Sequence, residues 1–171
     1  MESFNNMLAI MIAVILMFIF PLLYFAQKQD MITQIYVSNE TTNFVNNIKN
    51  KGYLTSDMYQ RYIENIGNTN NVYKVEIKHS RKMVNAEYDE DSGELLEEYY
   101  IVYIDYYEDE IIQALSENNI YYFSQGDYIS LKVSNKVPTL ASKIMQALYK
   151  TNIPNEQILV TYGGMIRDEA W

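Results

Sequence analysis

Met7–Phe25 reads MLAIMIAVILMFIFPLLYF, and no charged side chain occurs between Ser3 and Gln27. At about 1.5 Å of rise per residue, a helix over this run is close to 30 Å long, the thickness of a bilayer's hydrocarbon core. A helix also satisfies its own backbone hydrogen bonds, as hydrocarbon requires of any spanning segment. The run has no basic n-region, exceeds the usual apolar h-region of a secretory signal, and is followed by no A-x-A-like site before Lys28. The reading is therefore an uncleaved transmembrane anchor over residues 1–27, with the rest of the chain tethered to the bilayer surface. Pro21 lies inside the run, where it removes one helical hydrogen bond and favours a kink that packing against neighbouring helices can accommodate.

Beyond the anchor, no Pro or Gly intervenes between Leu22 and Lys51, and Met31, Ile32, Ile35, Phe44, Val45 and Ile48 recur at spacings of three and four. That period continues the helix as an amphipathic stem over residues 28–51, ended by Gly52. Met31, Ile35, Phe44, Val45 and Ile48 are its expected assembly face. The weak point is Val37–Thr42, where β-branched and small polar residues lower helix propensity.

Residues 52–171 are long enough for one compact α+β domain. Thr55 or Ser56 is placed to cap a helix with Met58, Tyr59, Tyr62, Ile63 and Ile66 on one face, stopped by Gly67 in the left-handed conformation. From Val72 to His79 the period falls to two, with Tyr73, Val75 and Ile77 alternating against Lys74, Glu76 and Lys78, which predicts a strand with one buried face. A second strand from near Met83 is expected to turn at Asp89–Gly93 and return through Leu95–Tyr106. Glu108–Ser116 suits a short helix ended at Asn118-Asn119. Ile120–Phe123 and Tyr128–Val133 read as a hairpin around Ser124–Asp127. Pro138-Thr139 introduces a helix to Tyr149, with Leu140, Ile144, Met145 and Leu148 on one face. A last strand, Gln157–Tyr162, is expected to end in a turn at Gly163-Gly164. The sum is a long N-terminal helix followed by a small domain on an antiparallel sheet.

The formal charge of −9 argues against nucleic acid as a partner, because phosphate binding needs a basic surface. With no cysteine, disulfides, thiolate metal sites and thiol nucleophiles are excluded. The 17 tyrosines cluster at Tyr99, Tyr100, Tyr103, Tyr106 and Tyr107 and again at Tyr121, Tyr122 and Tyr128, in keeping with half-buried strands and interfaces. The single histidine, His79, reads as a surface residue at a strand end, since one His with no Cys cannot build the usual transition-metal site. Ser142 and Lys143 are adjacent on a helix and so point to different faces, which argues against a Ser-Lys dyad. No nucleophile elbow, zinc helix or phosphate loop is present, and no enzymatic activity is expected. The one cofactor candidate is calcium, on Asp89, Asp91 and Glu94 of the acidic turn. The ligand spacing of an EF-hand is not met there, and the plainer reading is a solvated hairpin tip.

Pro21 within an apolar helix, the polar stem start at Gln27-Lys28-Gln29, Phe44-Val45 and Ile48 of the stem, and Gly52-Tyr53-Leu54-Thr55 opening the next helix form a recognisable order. Over about its first 80 residues the chain resembles the type IV pilins and pseudopilins, nearest to the TadE-like minor pseudopilins. The chain departs from that pattern in opening Met-Glu-Ser-Phe-Asn-Asn, with no basic leader and with Glu2 as its only early acid. The resemblance implies a bacterial membrane subunit of a pilus, secretion or conjugation-type apparatus with its C-terminal domain outside the cytoplasm. It gives Glu2 the role of neutralising a neighbouring subunit's terminal amine within the bilayer, and Pro21 a place in helix packing. The flanking charges, Glu2 before the run and Lys28 and Asp30 after it, add little to that orientation. The expected partners are thus the lipid bilayer and other membrane assembly subunits. The competing expectation is a signal-anchored extracytoplasmic binding or accessory module, calcium-dependent if the acidic turn binds the ion, whose stem is a spacer.

Overall fold

The structure, a computed structural model, describes residues 2–88, 95–149 and 158–167. Its first element, α1 (Glu2–Lys51), is one helix of 50 residues that passes through Pro21. Gly52, at φ 70°, ends it in the left-handed region, and its N–H donates to the Ile48 carbonyl at 2.8 Å. The low-propensity stretch Val37–Thr42 stays helical because the domain covers it. Val37 and Thr41 are fully buried, and the Thr41 hydroxyl donates to the Val37 carbonyl at 2.7 Å and accepts from the Tyr62 hydroxyl at 2.8 Å. Tertiary packing here outweighs a propensity deficit of a few tenths of a kcal/mol per residue, in the usual order of strengths.

The chain continues through β1 (Tyr53–Thr55) into α2 (Ser56–Gly67), capped by Thr55, whose hydroxyl accepts from the Met58 N–H at 3.1 Å. Gly67 is the last helical residue, and the left-handed position falls at Asn70 instead. Tyr62 of α2 stacks on Phe44 of α1 with ring centroids 4.3 Å apart. Next come β2 (Tyr73–Tyr88), β3 (Leu95–Tyr107), α3 (Glu108–Asn118), β4 (Ile120–Tyr122), β5 (Tyr128–Asn135), α4 (Leu140–Tyr149) and β6 (Leu159–Met165).

Four strands form an antiparallel sheet in the order β3-β2-β5-β6, with Val75 opposite Val133, Ile77 opposite Leu131, and Val133 opposite Val160. The inward residues Val75, Ile77, Ile129, Leu131, Val133 and Val160 form one core with Val37, Phe44, Val45 and Ile48 of α1. Lys74, Glu76, Lys78 and Lys132 occupy the opposite, solvated face, as the period of two predicts.

Three strand expectations are corrected. The strand expected to end at His79 and the one expected from near Met83 are a single strand, β2. β4 does not pair with β5; it pairs antiparallel with β1, Tyr53 opposite Tyr122 and Thr55 opposite Ile120. Both edges of β5 are already taken by β2 and β6, so the Ser124–Asp127 connection leads from one sheet to the other. Gly163 and Gly164 are not a turn but part of β6, opposite Ser130 and Ile129. A Cβ at Gly163 would lie 2.5 Å from the Ile129 carbonyl oxygen, and one at Gly164 would lie 2.6 Å from Lys49 Nζ. Glycine is thus used where a strand crosses close to backbone and to the buried Lys49 side chain.

Candidate functional site

Two surfaces and one buried network stand out. The first surface is α1 itself. Every described residue from Ser3 to Phe18 is exposed, so the domain leaves the apolar run uncovered. The helix is long and apolar enough to cross a membrane. Beyond it, the expected assembly face divides. Phe44, Val45 and Ile48 are spent on the chain's own core, whereas Met31 and Ile35 remain more than half exposed, together with Ile32. At 100° per residue Met31 and Ile35 lie well round the helix from Val37 and Ile48, and a period of three and four alone does not separate the two stripes. The Glu2 side chain lies outside the described residues, as do Asp89, Asp91 and Glu94. Among the described residues no group of three or more His, Cys, Asp or Glu side chains is arranged to hold a metal ion.

The second surface is a ribbon. β5 runs beside β2 only as far as Ser80, opposite Tyr128, while β3 stays paired with β2 from Lys78 to Tyr88. Past Ser80 the two strands therefore project as a two-stranded arm about 25 Å long, at roughly 3.3 Å per residue. Directly opposed residues share a face. Met83 with Val102, Asn85 with Tyr100 and Arg81 with Ile104 form one face; Val84 with Ile101, Ala86 with Tyr99 and Lys82 with Tyr103 form the other. Both faces are rich in large apolar side chains, and Val84, Tyr99, Tyr100, Ile101, Val102, Tyr103 and Ile104 are all exposed. The run YYIVYI lacks alternation, the pattern of a strand buried on both sides, yet its own sheet covers neither. β6 ascends alongside α1, with Leu159 beside Gln34 and Gly164 beside Lys49. β2 is parallel to β6 across β5, so the arm extends beyond the C-terminal end of α1, away from the apolar run.

The network was not anticipated from sequence. His79 continues the inward face of Val75 and Ile77 and is only 2% exposed. Its Nε2–H donates to Asp127 Oδ2 at 2.9 Å, and its Nδ1 lies 2.8 Å from the Tyr121 hydroxyl; with burial lowering the ring's pKa, His79 is held neutral and Nδ1 accepts from that hydroxyl. Asp127 also accepts from the Ser124 and Lys82 backbone N–H groups, each at 2.8 Å. Phe123 packs edge-on to the imidazole, and Tyr106 stacks on it. Burial is the main force lowering the His79 pKa, against the opposing pull of Asp127. Burial likewise pushes the Tyr121 hydroxyl up to about 12. The network backs a cleft lined by Arg81, Tyr106, Glu110 and Tyr122. With both ring nitrogens engaged inside the fold, His79 ties β2 to the β4–β5 connection. The sequence signal for its burial was its parity with Val75 and Ile77.

No protein-family model, curated protein or solved structure matches this chain.

Proposed function

We propose that this chain is a membrane-anchored structural subunit of the minor pilin or pseudopilin kind, with its domain outside the cytoplasm, working by assembly with other proteins. The observation that carries this reading is the double-sided apolar arm. Exposed apolar patches of this extent are characteristic of protein contacts, and a ribbon whose two faces are both apolar finds cover only between partners. Tyrosine suits that role, pairing a large apolar ring with a hydroxyl that stays wet at the rim. The uncovered stripe at Met31, Ile32 and Ile35 supports lateral contact between anchors. A lone binding module is the second reading, favoured by the burial of Phe44, Val45 and Ile48 within the chain's own core.

The absence of native cysteine makes the test direct. Single cysteines at Met31, Ile35, Val84 and Tyr103 are introduced in cells and treated with a membrane-impermeant crosslinker. Assembly predicts crosslinked partners from both surfaces, with Ile48→Cys silent. Labelling by an impermeant thiol probe without crosslinks would favour the lone module, and no labelling would overturn the orientation.

A further inference from the structure

We propose that α4 is a membrane-interface helix, a second contact with the bilayer beside the anchor; the inference rests on reading α1 as that anchor. α4 meets α1 where the apolar run ends. Thr139, whose hydroxyl accepts from the Ser142 N–H at the start of α4, donates to Asp30 Oδ2 at 2.6 Å. Further along, Gln27 Nε2 donates to Met145 Sδ at 3.7 Å. From Thr139 beside Asp30 to Met145 beside Gln27, α4 therefore runs toward the span. Ala26 is buried, and the same face of α1 stays partly covered at Leu23.

The depth of this contact has an independent marker. Lys28 Nζ lies 5.7 Å above the Tyr24 ring, an aromatic residue and a lysine one turn apart at the end of the apolar run. Tyrosine and snorkelling lysine are the residues that sit at headgroup level. α4 abuts Ala26–Asp30, the same level of the rod.

The side chains of α4 are turned the wrong way for water. Its inner face carries Ala141 and Ser142, both buried, with Met145 between them against Gln27 of α1. The opposite face is apolar too: Leu140 is 57% exposed and Leu148 39%, and Ile144 and Ala147 fall on the same side, at the i, i+4, i+7, i+8 spacing of one helical face. Lys143 is the only charged residue on the helix. An outward apolar face with a lysine at its flank, held at headgroup level, is the chemistry of a helix lying in the interface plane. The occupant is the acyl–headgroup boundary of the leaflet that the domain faces.

The test uses the full chain, reconstituted at no more than one copy per phosphatidylcholine vesicle, with an environment-sensitive fluorophore on single cysteines replacing Leu148, Leu140, Phe18 or Gln113. Phe18 lies in the span, and Gln113 is an exposed residue of α3. Lipids brominated high on the acyl chain quench from the membrane, and iodide quenches from water. The expected result is loss of emission to brominated lipid at Phe18, Leu148 and Leu140, with Gln113 lost only to iodide. Leu140, the more exposed of the two α4 sites, decides the matter where labelling at Leu148 perturbs folding. If Phe18 is quenched by lipid while both α4 sites are quenched only by iodide, the inference is overturned and the anchor stands. α4 sites shielded from both quenchers also overturn it, because protein then covers the face. If Phe18 is not quenched by lipid, the anchor itself fails.

Discussion

Asp127 offers the sharpest test of how the domain is held together. Its carboxylate accepts three hydrogen bonds, from His79 Nε2 and from the Lys82 and Ser124 backbone, at 2.8–2.9 Å, and the residue is 1% exposed. The His79 bond is fully buried, so losing it costs about 1.5–3 kcal/mol, the range for a bond to a charged acceptor. The two backbone donors are only partly buried, and water replaces part of each bond, so about 0.5–1 kcal/mol is assigned to each. Asp127→Ala is therefore expected to destabilise the domain by about 2.5–5 kcal/mol, a large share of the roughly 5–15 kcal/mol typical of a folded domain. Asp127→Asn keeps one acceptor but sets an NH₂ against at least one N–H, for about 1–3 kcal/mol. Near-UV circular dichroism of the tyrosines, followed through denaturant unfolding of the full chain in detergent micelles, reports the domain without the long N-terminal helix dominating the signal. Asp105→Ala is the control: its bonds to Ser80 and Lys78 are as short, at 2.6 and 2.8 Å, but face solvent, and no measurable change is expected. An Asp127→Ala change under about 0.5 kcal/mol would refute the claim that this carboxylate ties β2 to the β4–β5 connection.

Further predictions follow from the same geometry. The unfolded chain protonates His79 near its ordinary value of 6.5, while the folded protein holds it neutral to lower pH. The folded state thus binds fewer protons below that value, and stability present above pH 6.5 should fall as pH drops through the folded pKa. Unfolding midpoints between pH 8 and 5 should show this fall in the native chain and a flatter profile in His79→Phe; equal slopes would remove His79 as the source. Gly163→Ala drives a methyl against the Ile129 carbonyl oxygen, which cannot swing aside, and should cost about 1–3 kcal/mol. Gly67→Ala, at a helix end with open space around it, should be neutral or stabilise by up to about 1 kcal/mol. Thr55→Ala removes the α2 cap and should cost about 1 kcal/mol in the same denaturant assay.

Several features were legible before the structure. The apolar run, the helix stop at Gly52, a cap at Thr55 or Ser56 and the alternation of Tyr73, Val75 and Ile77 are all written in neighbouring residues. Periodicity and capping are local properties, so a local reading recovers them. The continuity of α1 through Val37–Thr42 was harder, because the β-branched residues there favour other conformations until α2 covers them. The hairpin expected between β4 and β5 failed for a related reason: a short connection allows pairing, but β1 competes for β4 from some 65 residues away.

By itself the sequence determined the long apolar N-terminal helix, the α+β class and the antiparallel strands, because hydrophobic period and turn chemistry act over a few residues. Only the tertiary structure decided which side of each element is covered. It divided the stem stripe into buried Phe44, Val45 and Ile48 and exposed Met31 and Ile35, drew His79 inward to Asp127, turned Leu140 and Leu148 of α4 outward, and left both faces of the arm bare. An apolar face states a need for cover but not its source, and that source lies in residues far along the chain, in another molecule or in the membrane.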